Sequence, residues 1–337
     1  MLLLLAALAL ADDAVPANVA GRGGTSVAEA ADNIAVTTNP GALGLSERYD
    51  ILGNFIGGPG TDLRWGVVAV DSSTNDRIAF GFAYWGQRTN PPFLPSELPG
   101  WAPTGTEPTN IKRTHDLSFS LAAPFLDRRL SLGLGGTMSI FNNDHSGTGV
   151  TGNMIFGAAA RPHDLVSFGF AARDVLPIPV QDDRPAQLTL GSVVGDPTRF
   201  IGSVEGAWRA EGVIGHAFDA RAGLEGVIKE AVHLRGGWDW AGNFDVHRVS
   251  WGFGLGSKAG RLDYAMRIPV VPGLRFGQIS HVISLVLFTK AFREEDEFND
   301  FGPFNRPSQS ANRPSRNRPQ RPQRPPPNTP NVPPPPR

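Results

Sequence analysis

Residues 78–85 read IAFGFAYW, so large apolar side chains alternate with small ones. Residues 130–135 read LSLGLG and residues 262–268 read LDYAMRI, and both stretches show the same alternation. Successive side chains of a β-strand point to opposite faces, so each stretch has one apolar face and one face of small or polar residues. Segments of this kind recur from Tyr49 to Lys290, separated by turn residues, and are typical of transmembrane β-strands.

The alternating segments predict an all-β fold, an antiparallel transmembrane β-barrel of about fourteen strands. Their centres lie near residues 53, 66, 81, 118, 135, 155, 169, 191, 204, 221, 235, 252, 264 and 284. Spanning helices are excluded because no run of about eighteen apolar residues occurs. Lipid cannot satisfy an open backbone edge, so a spanning sheet must close. Long and short connections alternate, which predicts long loops outside the cell and tight turns in the periplasm.

The start of the chain indicates export. Leu2 to Leu10 are apolar but too few to span a bilayer, and Ala9-Leu10-Ala11 is followed by two aspartates. This pattern predicts a signal peptide at residues 1–11, cleaved after Ala11, and a location in the cell outer membrane. The alternative interpretation is a buried apolar first strand.

Three regions follow the predicted signal peptide: an N-terminal segment (12–47), the barrel (48–292) and a C-terminal tail (293–337). The tail opens with acidic residues and becomes rich in Pro and Arg, so we expect it to be disordered and periplasmic. Residues 301–337 hold seven of the 31 basic residues and no acid, which leaves 24 basic against 32 acidic residues upstream. Such a tail could bind the cell wall, a periplasmic protein or the acidic barrel rim, or be a solvated linker.

Composition removes several functional classes. The chain has no cysteine, so disulfides, thiolate metal sites and thiol catalysis are excluded. No Gly-x-Ser-x-Gly motif is present, and the seven histidines show no metal-ligand spacing. The sequence therefore predicts no catalytic residues, no metal site, no cofactor, no nucleic-acid partner and no enzyme activity.

Charged residues of the later strands share the parity opposite the large apolar side chains. Each would cost about 2–4 kcal/mol if it faced lipid near the midplane, so we expect them to face the lumen. They could form a rigid salt-bridge network or a polar lining for a permeation path. They are Glu205, Arg209, Asp219, Arg221, Glu225, His233, Arg235, Asp239, Arg248, Arg261, Asp263 and Arg267.

Two further residue types carry predictions about the barrel wall. The inward glycines Gly133, Gly135, Gly252 and Gly254 are expected to leave room for a ligand. Tryptophans near strand ends or at outward positions are expected to form an aromatic girdle at the lipid interface. They are Trp65, Trp85, Trp208, Trp238, Trp240 and Trp251.

The N-terminal segment has three characteristic stretches: residues 21–28 (GRGGTSVA), 31–33 (ADN) and 39–43 (NPGAL). In these stretches it resembles the FadL-like outer membrane transporters and their PorV-like relatives, and the resemblance extends over about residues 19–290. It implies a fourteen-stranded barrel with an N-terminal hatch inside the lumen. The hatch residues it implies are Gly21, Gly23, Gly24, Asp32, Asn39 and Pro40. Gly41 follows Pro40 where the family usually has alanine, so the turn need not be identical.

The resemblance implies an outer membrane channel for passive or gated uptake of hydrophobic small molecules, such as fatty acids or aromatic hydrocarbons. Outer membrane lipids and the hydrophobic substrate would be its partners. The alternative is a PorV-like barrel that docks or shuttles proteins for secretion or envelope assembly. A soluble secreted β-protein is a third possibility.

Overall fold

The computed structural model describes residues 15–29, 33–58, 63–72, 77–89, 112–143, 147–176, 186–211, 215–242, 246–257, 259–270 and 279–288. The predicted signal peptide, the tail and Asp32 lie outside these residues. No helix among the described residues is long and apolar enough to cross a membrane.

Fourteen antiparallel strands close into one barrel, which confirms the predicted fold. Each strand pairs with its neighbours in the chain, and the first pairs with the last from Asp50 opposite Phe288 to Gly57 opposite His281. The strands are β1 (Tyr49–Gly57), β2 (Leu63–Asp71), β3 (Ala79–Thr89), β4 (Lys112–Phe125), β5 (Leu130–Asn143), β6 (Gly147–His163), β7 (Val166–Arg173), β8 (Gln187–Asp196), β9 (Phe200–Glu211), β10 (Gly215–Ile228), β11 (Val232–Ala241), β12 (Val246–Gly256), β13 (Gly260–Val270) and β14 (Ser280–Phe288).

The outer face of the barrel is apolar on every strand. One exposed residue from each of β1 to β14 in turn is Phe55, Val67, Phe82, Phe119, Leu132, Phe156, Phe168, Leu190, Val204, Leu224, Leu234, Phe253, Leu262 and Leu285. A continuous apolar surface of this extent would be unstable in water. The barrel therefore spans a membrane, and a soluble secreted protein is not compatible with this surface.

The two ends of the barrel differ in their connections. Tight turns at 126–129, 164–165, 197–199 and 229–231 define the short-turn end. In one of them the amide of Ala231 donates to the carbonyl of Ile228, and the two residues between them, Lys229 and Glu230, have φ of 51° and 58°, as a type I′ turn requires. The opposite end, which we call the long-loop end, carries the connections from β3 to β4 and from β7 to β8. That the long-loop end faces outside the cell stays a prediction.

The tryptophans only partly follow the sequence-based expectation. Trp65, Trp208 and Trp238 are exposed on the outer face, towards the long-loop end. Trp85 is buried on the inner face, where its ring lies over Gly66 of β2, so its assignment to the girdle was wrong. The error has a simple cause: Tyr84 and Trp85 are both large, so side-chain size alone does not separate the two faces at this point.

The N-terminal segment lies inside the barrel. From here on, this name refers to residues 15–29 and 33–48, which are the described residues of the chain before β1. It contains α1 (Ala17–Ala20), α2 (Ala35–Thr38) and a 3-10 helix (Pro40–Leu45). Nearly all its described residues are buried. Its apolar side chains join inward residues of the strands in one hydrophobic cluster, in which Val19, Val36 and Leu43 are essentially inaccessible.

A charge placed on the outer face tests the lipid-facing assignment. Phe119 is exposed near the middle of β4, so Phe119→Arg should destabilise the barrel by about 2–4 kcal/mol in vesicles. Glu230→Arg, at an exposed position of a turn at the short-turn end, is the control and should change stability by less than about 0.5 kcal/mol. Urea unfolding in vesicles, followed by heat-modifiable gel migration, measures both. Equal stability of the two variants would contradict a lipid-facing Phe119.

Candidate functional site

A belt of small inward residues surrounds the N-terminal segment. The Gly/Ser belt consists of Gly81, Ser120, Gly133, Gly157, Ser167, Gly169, Gly191, Ser203, Gly223, Gly237, Ser250 and Ser284. A Cβ atom at Gly157 would collide with Asn39, and one at Gly169 with the backbone of Val27. The absence of side chains at these positions lets the backbone of the N-terminal segment approach the wall.

The belt changes the interpretation of the inward glycines. A Cβ atom on Gly133 would meet the backbone at Pro40, and one on Gly252 would lie 3.4 Å from the Cα of Gly21. At Gly254 it would meet the carboxylate of Asp263. The expectation that these glycines leave room for a ligand was therefore wrong, because protein atoms occupy the space.

Serine hydroxyls of the belt bind the backbone of the N-terminal segment. The hydroxyl of Ser284 accepts a 2.7 Å hydrogen bond from the amide of Ala17, at the start of α1. Ser120 donates to the carbonyl of Val36 at 2.6 Å, and Ser167 donates to the carbonyl of Ala28 at 2.7 Å. Helices of four residues leave most of their amides and carbonyls without intrahelical partners, and the hydroxyls of Ser284 and Ser120 supply partners to α1 and α2.

Glu205 on β9 is a charged anchor for the N-terminal segment. Its Oε2 atom accepts hydrogen bonds of 2.9 Å from the amides of both Ser26 and Val27. Its Oε1 atom is 2.9 Å from Nη1 of Arg221, on the adjacent strand β10. The Arg221 guanidinium also donates to the carbonyl of Gly24 at 3.4 Å. Hydrogen bonds to an ionised group are about twice as strong as neutral ones, so this carboxylate is the strongest single contact to this turn.

Asn39 connects the two halves of the N-terminal segment to each other and to the wall. Its side-chain oxygen accepts from the amide of Gly41 at 3.1 Å, which caps the 3-10 helix that begins at Pro40. Its side-chain amide donates to the carbonyl of Val27 at 2.5 Å and to that of Ala158, on β6, at 3.1 Å. Asn39 is fully buried, and its bonds to Val27 and Gly41 are shielded from water.

The glycines that the resemblance identified lie in the turn after α1. Gly21 is the C-cap of α1, and its amide donates to the carbonyl of Ala17. Gly23 and Gly24 have φ of 68° and 83°, a left-handed conformation that glycine adopts without strain. The amide of Gly23 donates to the hydroxyl of Ser250 at 3.0 Å. The sixth implied hatch residue, Asp32, is outside the described residues.

An ionic cluster lies between the N-terminal segment and the short-turn end. We call it the short-turn cluster, and its members are Arg22, Glu29, Glu225, His233, Arg235, Arg261 and Asp263. Arg22 is fully buried, pairs with Glu29 and lies 3.5 Å from the carboxylate of Glu225. Glu225 in turn contacts Arg235 at 3.0 Å. The N-terminal segment therefore contributes two of the charges in this network.

A second ionic cluster lies towards the long-loop end. We call it the long-loop cluster, and it consists of Arg209, Asp219, Asp239, Arg248 and Arg267. Arg209 pairs with Asp219 at 2.9 Å, and Asp239 contacts Arg248 at 2.6 Å and Arg267 at 2.9 Å. On β10, Asp219 and Glu225 lie on opposite sides of Gly223, which contacts Arg22 of the N-terminal segment. The two clusters therefore flank the N-terminal segment along the barrel axis.

The structure places all the lumen-facing charges expected from the sequence on the inner wall, concentrated on β9 to β13. The inner faces of β3 to β8 carry mostly small and uncharged residues. The sequence reasoning missed Arg22 and Glu29, because they lie outside the strands and carry no period-two signal. Among the described residues, no group of three or more His, Asp and Glu is arranged as a metal site.

Comparison with known proteins finds solved structures of a similar fold but no related sequence. No protein-family model and no curated protein sequence matches the chain. Among solved structures, it is similar to the Ralstonia pickettii toluene transporter TbuX, with 16% identity, a TM-score of 0.59, and 81% of this chain and 98% of that chain covered. A Pseudomonas aeruginosa FadL homologue has 13% identity and a TM-score of 0.56, over 82% and 98% of the two chains.

The P. putida toluene transporter TodX is a third example, with 11% identity, a TM-score of 0.56, and 82% of this chain and 98% of that chain covered. At these identities the likeness establishes the fold. The PorV-like alternative receives no support from these comparisons. The chain therefore has the fold of the FadL-like outer membrane barrels.

Proposed function

We propose that this protein is an outer membrane channel for hydrophobic small molecules and that the N-terminal segment is its hatch. The observation that carries the proposal is the buried N-terminal segment, which crosses the lumen and is held to the wall by Glu205, Asn39 and the belt serines. Barrels of the same fold include toluene transporters, so aromatic hydrocarbons are the first substrates to test. Fatty acids are the second.

The two walls of the lumen support different roles in this proposal. The charged wall on β9 to β13 holds the hatch, because Glu205 and Glu225 bind it directly. The wall on β3 to β8 is the better surface for an apolar molecule, because fewer charged side chains, Asp116 and Arg173 among them, face the lumen there. Phe141 lies on the inner face of this wall, towards the long-loop end, and offers an aromatic face to such a substrate.

Removal of the hatch is the direct test. Deletion of Val19 to Leu45 should raise the flux of toluene or a labelled fatty acid into liposomes, because the segment that fills the lumen is gone. The comparison is with the full chain and with liposomes without protein, after heat-modifiable migration has shown that both barrels are folded. Equal flux in all three samples would remove the transport proposal.

A single substitution tests the charged anchor. Glu205→Gln removes the charge that the amides of Ser26 and Val27 share, and should weaken the closed state by about 1.5–3 kcal/mol. Basal flux of a hydrophobic probe should rise by about tenfold or more. The matched control is Asp219→Asn, which breaks an ion pair with Arg209 without a contact to the hatch. Similar flux increases in both variants would indicate general loosening of the barrel and contradict the specific role of Glu205.

A substitution in the Gly/Ser belt tests the proposal through the direction in which the flux changes. A Cβ atom on Gly169 would collide with the backbone of Val27, so Gly169→Ala should displace the hatch and raise the flux. If the glycine instead kept a ligand passage open, the same change would lower the flux. The control is Gly226→Ala, because a Cβ atom at Gly226 meets nothing within 4 Å. Liposome uptake of toluene distinguishes the two outcomes.

A further inference from the structure

Two arginines face outward, side by side, at the long-loop end of the barrel. Arg88 on β3 and Arg113 on β4 are directly paired in the register of the two strands, and both are exposed. Asn142 on β5 pairs with Arg113, and Thr148 on β6 pairs with Asn142, and these two residues are also exposed. We call Arg88, Arg113, Asn142 and Thr148 the outer polar row. Its side chains offer hydrogen-bond donors on four adjacent strands, and the two arginines carry positive charges.

The arrangement of the arginine pair is unfavourable by itself. Like charges directly opposite on adjacent strands repel each other. Among the described residues, no acidic side chain pairs with Arg88 or Arg113. At the short-turn end the exposed arginines do have acidic neighbours: Arg129 lies 3.8 Å from Asp164, and Arg199 lies 3.9 Å from Asp196. The charge of the outer polar row is therefore available for an anion outside the protein.

The outer polar row borders the lipid-facing surface. Gly86 and His115 follow the arginine pair along the same outer face, and then come the apolar pairs Tyr84–Leu117 and Phe82–Phe119. From Ile78 to Arg88 the chain advances about 33 Å along the strand, or about 25 Å along the barrel axis at a tilt of about 40°. This is the height of the apolar band of an outer membrane barrel, so the arginines lie at the level of the lipid headgroups.

We propose that the outer polar row binds the phosphate of an anionic lipid headgroup in the leaflet that meets the long-loop end. The planar guanidinium groups of two arginines match the oxygens of one phosphate, and the attraction offsets their mutual repulsion. Below them, the hydroxyl of Tyr84 and Nδ1 of His115 are 2.9 Å apart on the outer face, at the boundary between headgroup and acyl chain. The site requires only that the barrel spans a membrane, and does not depend on the transport proposal.

The experiment measures lipid preference with the full chain. The protein is reconstituted in phosphatidylcholine vesicles, and the relative affinity for spin-labelled phosphatidic acid over spin-labelled phosphatidylcholine is determined. Wild type should show a site with about a thirtyfold preference for the anionic lipid, as expected for two arginines near an anionic surface. R88Q/R113Q should lose this preference. The matched control R129Q/R199Q removes the same charge at the short-turn end and should keep it.

Three results would overturn the proposal. The first is an unchanged preference in R88Q/R113Q. The second is an equal loss in the R129Q/R199Q control. The third is a lower melting temperature of R88Q/R113Q than of wild type in non-ionic detergent, which would show that the arginines stabilise the wall itself. The proposal expects a melting temperature at or above that of wild type, because the repulsion between the arginines is gone.

Discussion

The need to satisfy every backbone polar group inside the protein governs this structure. In lipid no water can bind an unpaired amide or carbonyl, so the sheet must close, and β1 pairs with β14 to do so. The same requirement applies to the N-terminal segment, whose short helices satisfy few of their own groups. The wall therefore supplies partners: Ser284 for the amide of Ala17, Glu205 for the amides of Ser26 and Val27. The inner face of the barrel is in this sense complementary to one particular segment of its own chain.

Packing and charge act together in this complementarity. The glycines of the Gly/Ser belt let the backbone of the N-terminal segment contact the backbone of the wall. This contact leaves no space for the water that would otherwise solvate the charges nearby. Arg22 is consequently fully buried, and its charge is compensated by Glu29 and Glu225. A buried ion pair adds little net stability relative to apolar residues, but removal of one partner costs about 3–5 kcal/mol. The short-turn cluster thus favours one position of the segment over others.

The sequence alone predicts those features that depend on neighbouring residues. Period-two alternation located all fourteen strands, because each residue's face follows from its neighbours. The same parity put Glu205 and Arg235 on the inner face. It failed at Trp85, where two large residues are adjacent, and it could not show that Gly133 faces Pro40 rather than a ligand. Contacts such as that of Glu205 with Ser26, 179 residues apart, follow from the closed barrel and have no local signature.

The two halves of the N-terminal segment are held in different ways, so one half costs less free energy to displace than the other. Residues 15–29 contain the charges of Arg22 and Glu29, so moving this half would separate buried ion pairs. Residues 33–46 contain no charged side chain and contact the wall through apolar residues, Asn39 and backbone carbonyls. Displacing them breaks hydrogen bonds, including those from Arg128 and Arg161 to the carbonyls of Gly44 and Leu45, but separates no buried ion pair, so the free-energy cost is lower. This half lies against β3 to β6, on the small and mostly uncharged wall. In the proposed channel, an apolar molecule on this side would avoid both ionic clusters, so the segment and the wall would favour the same path.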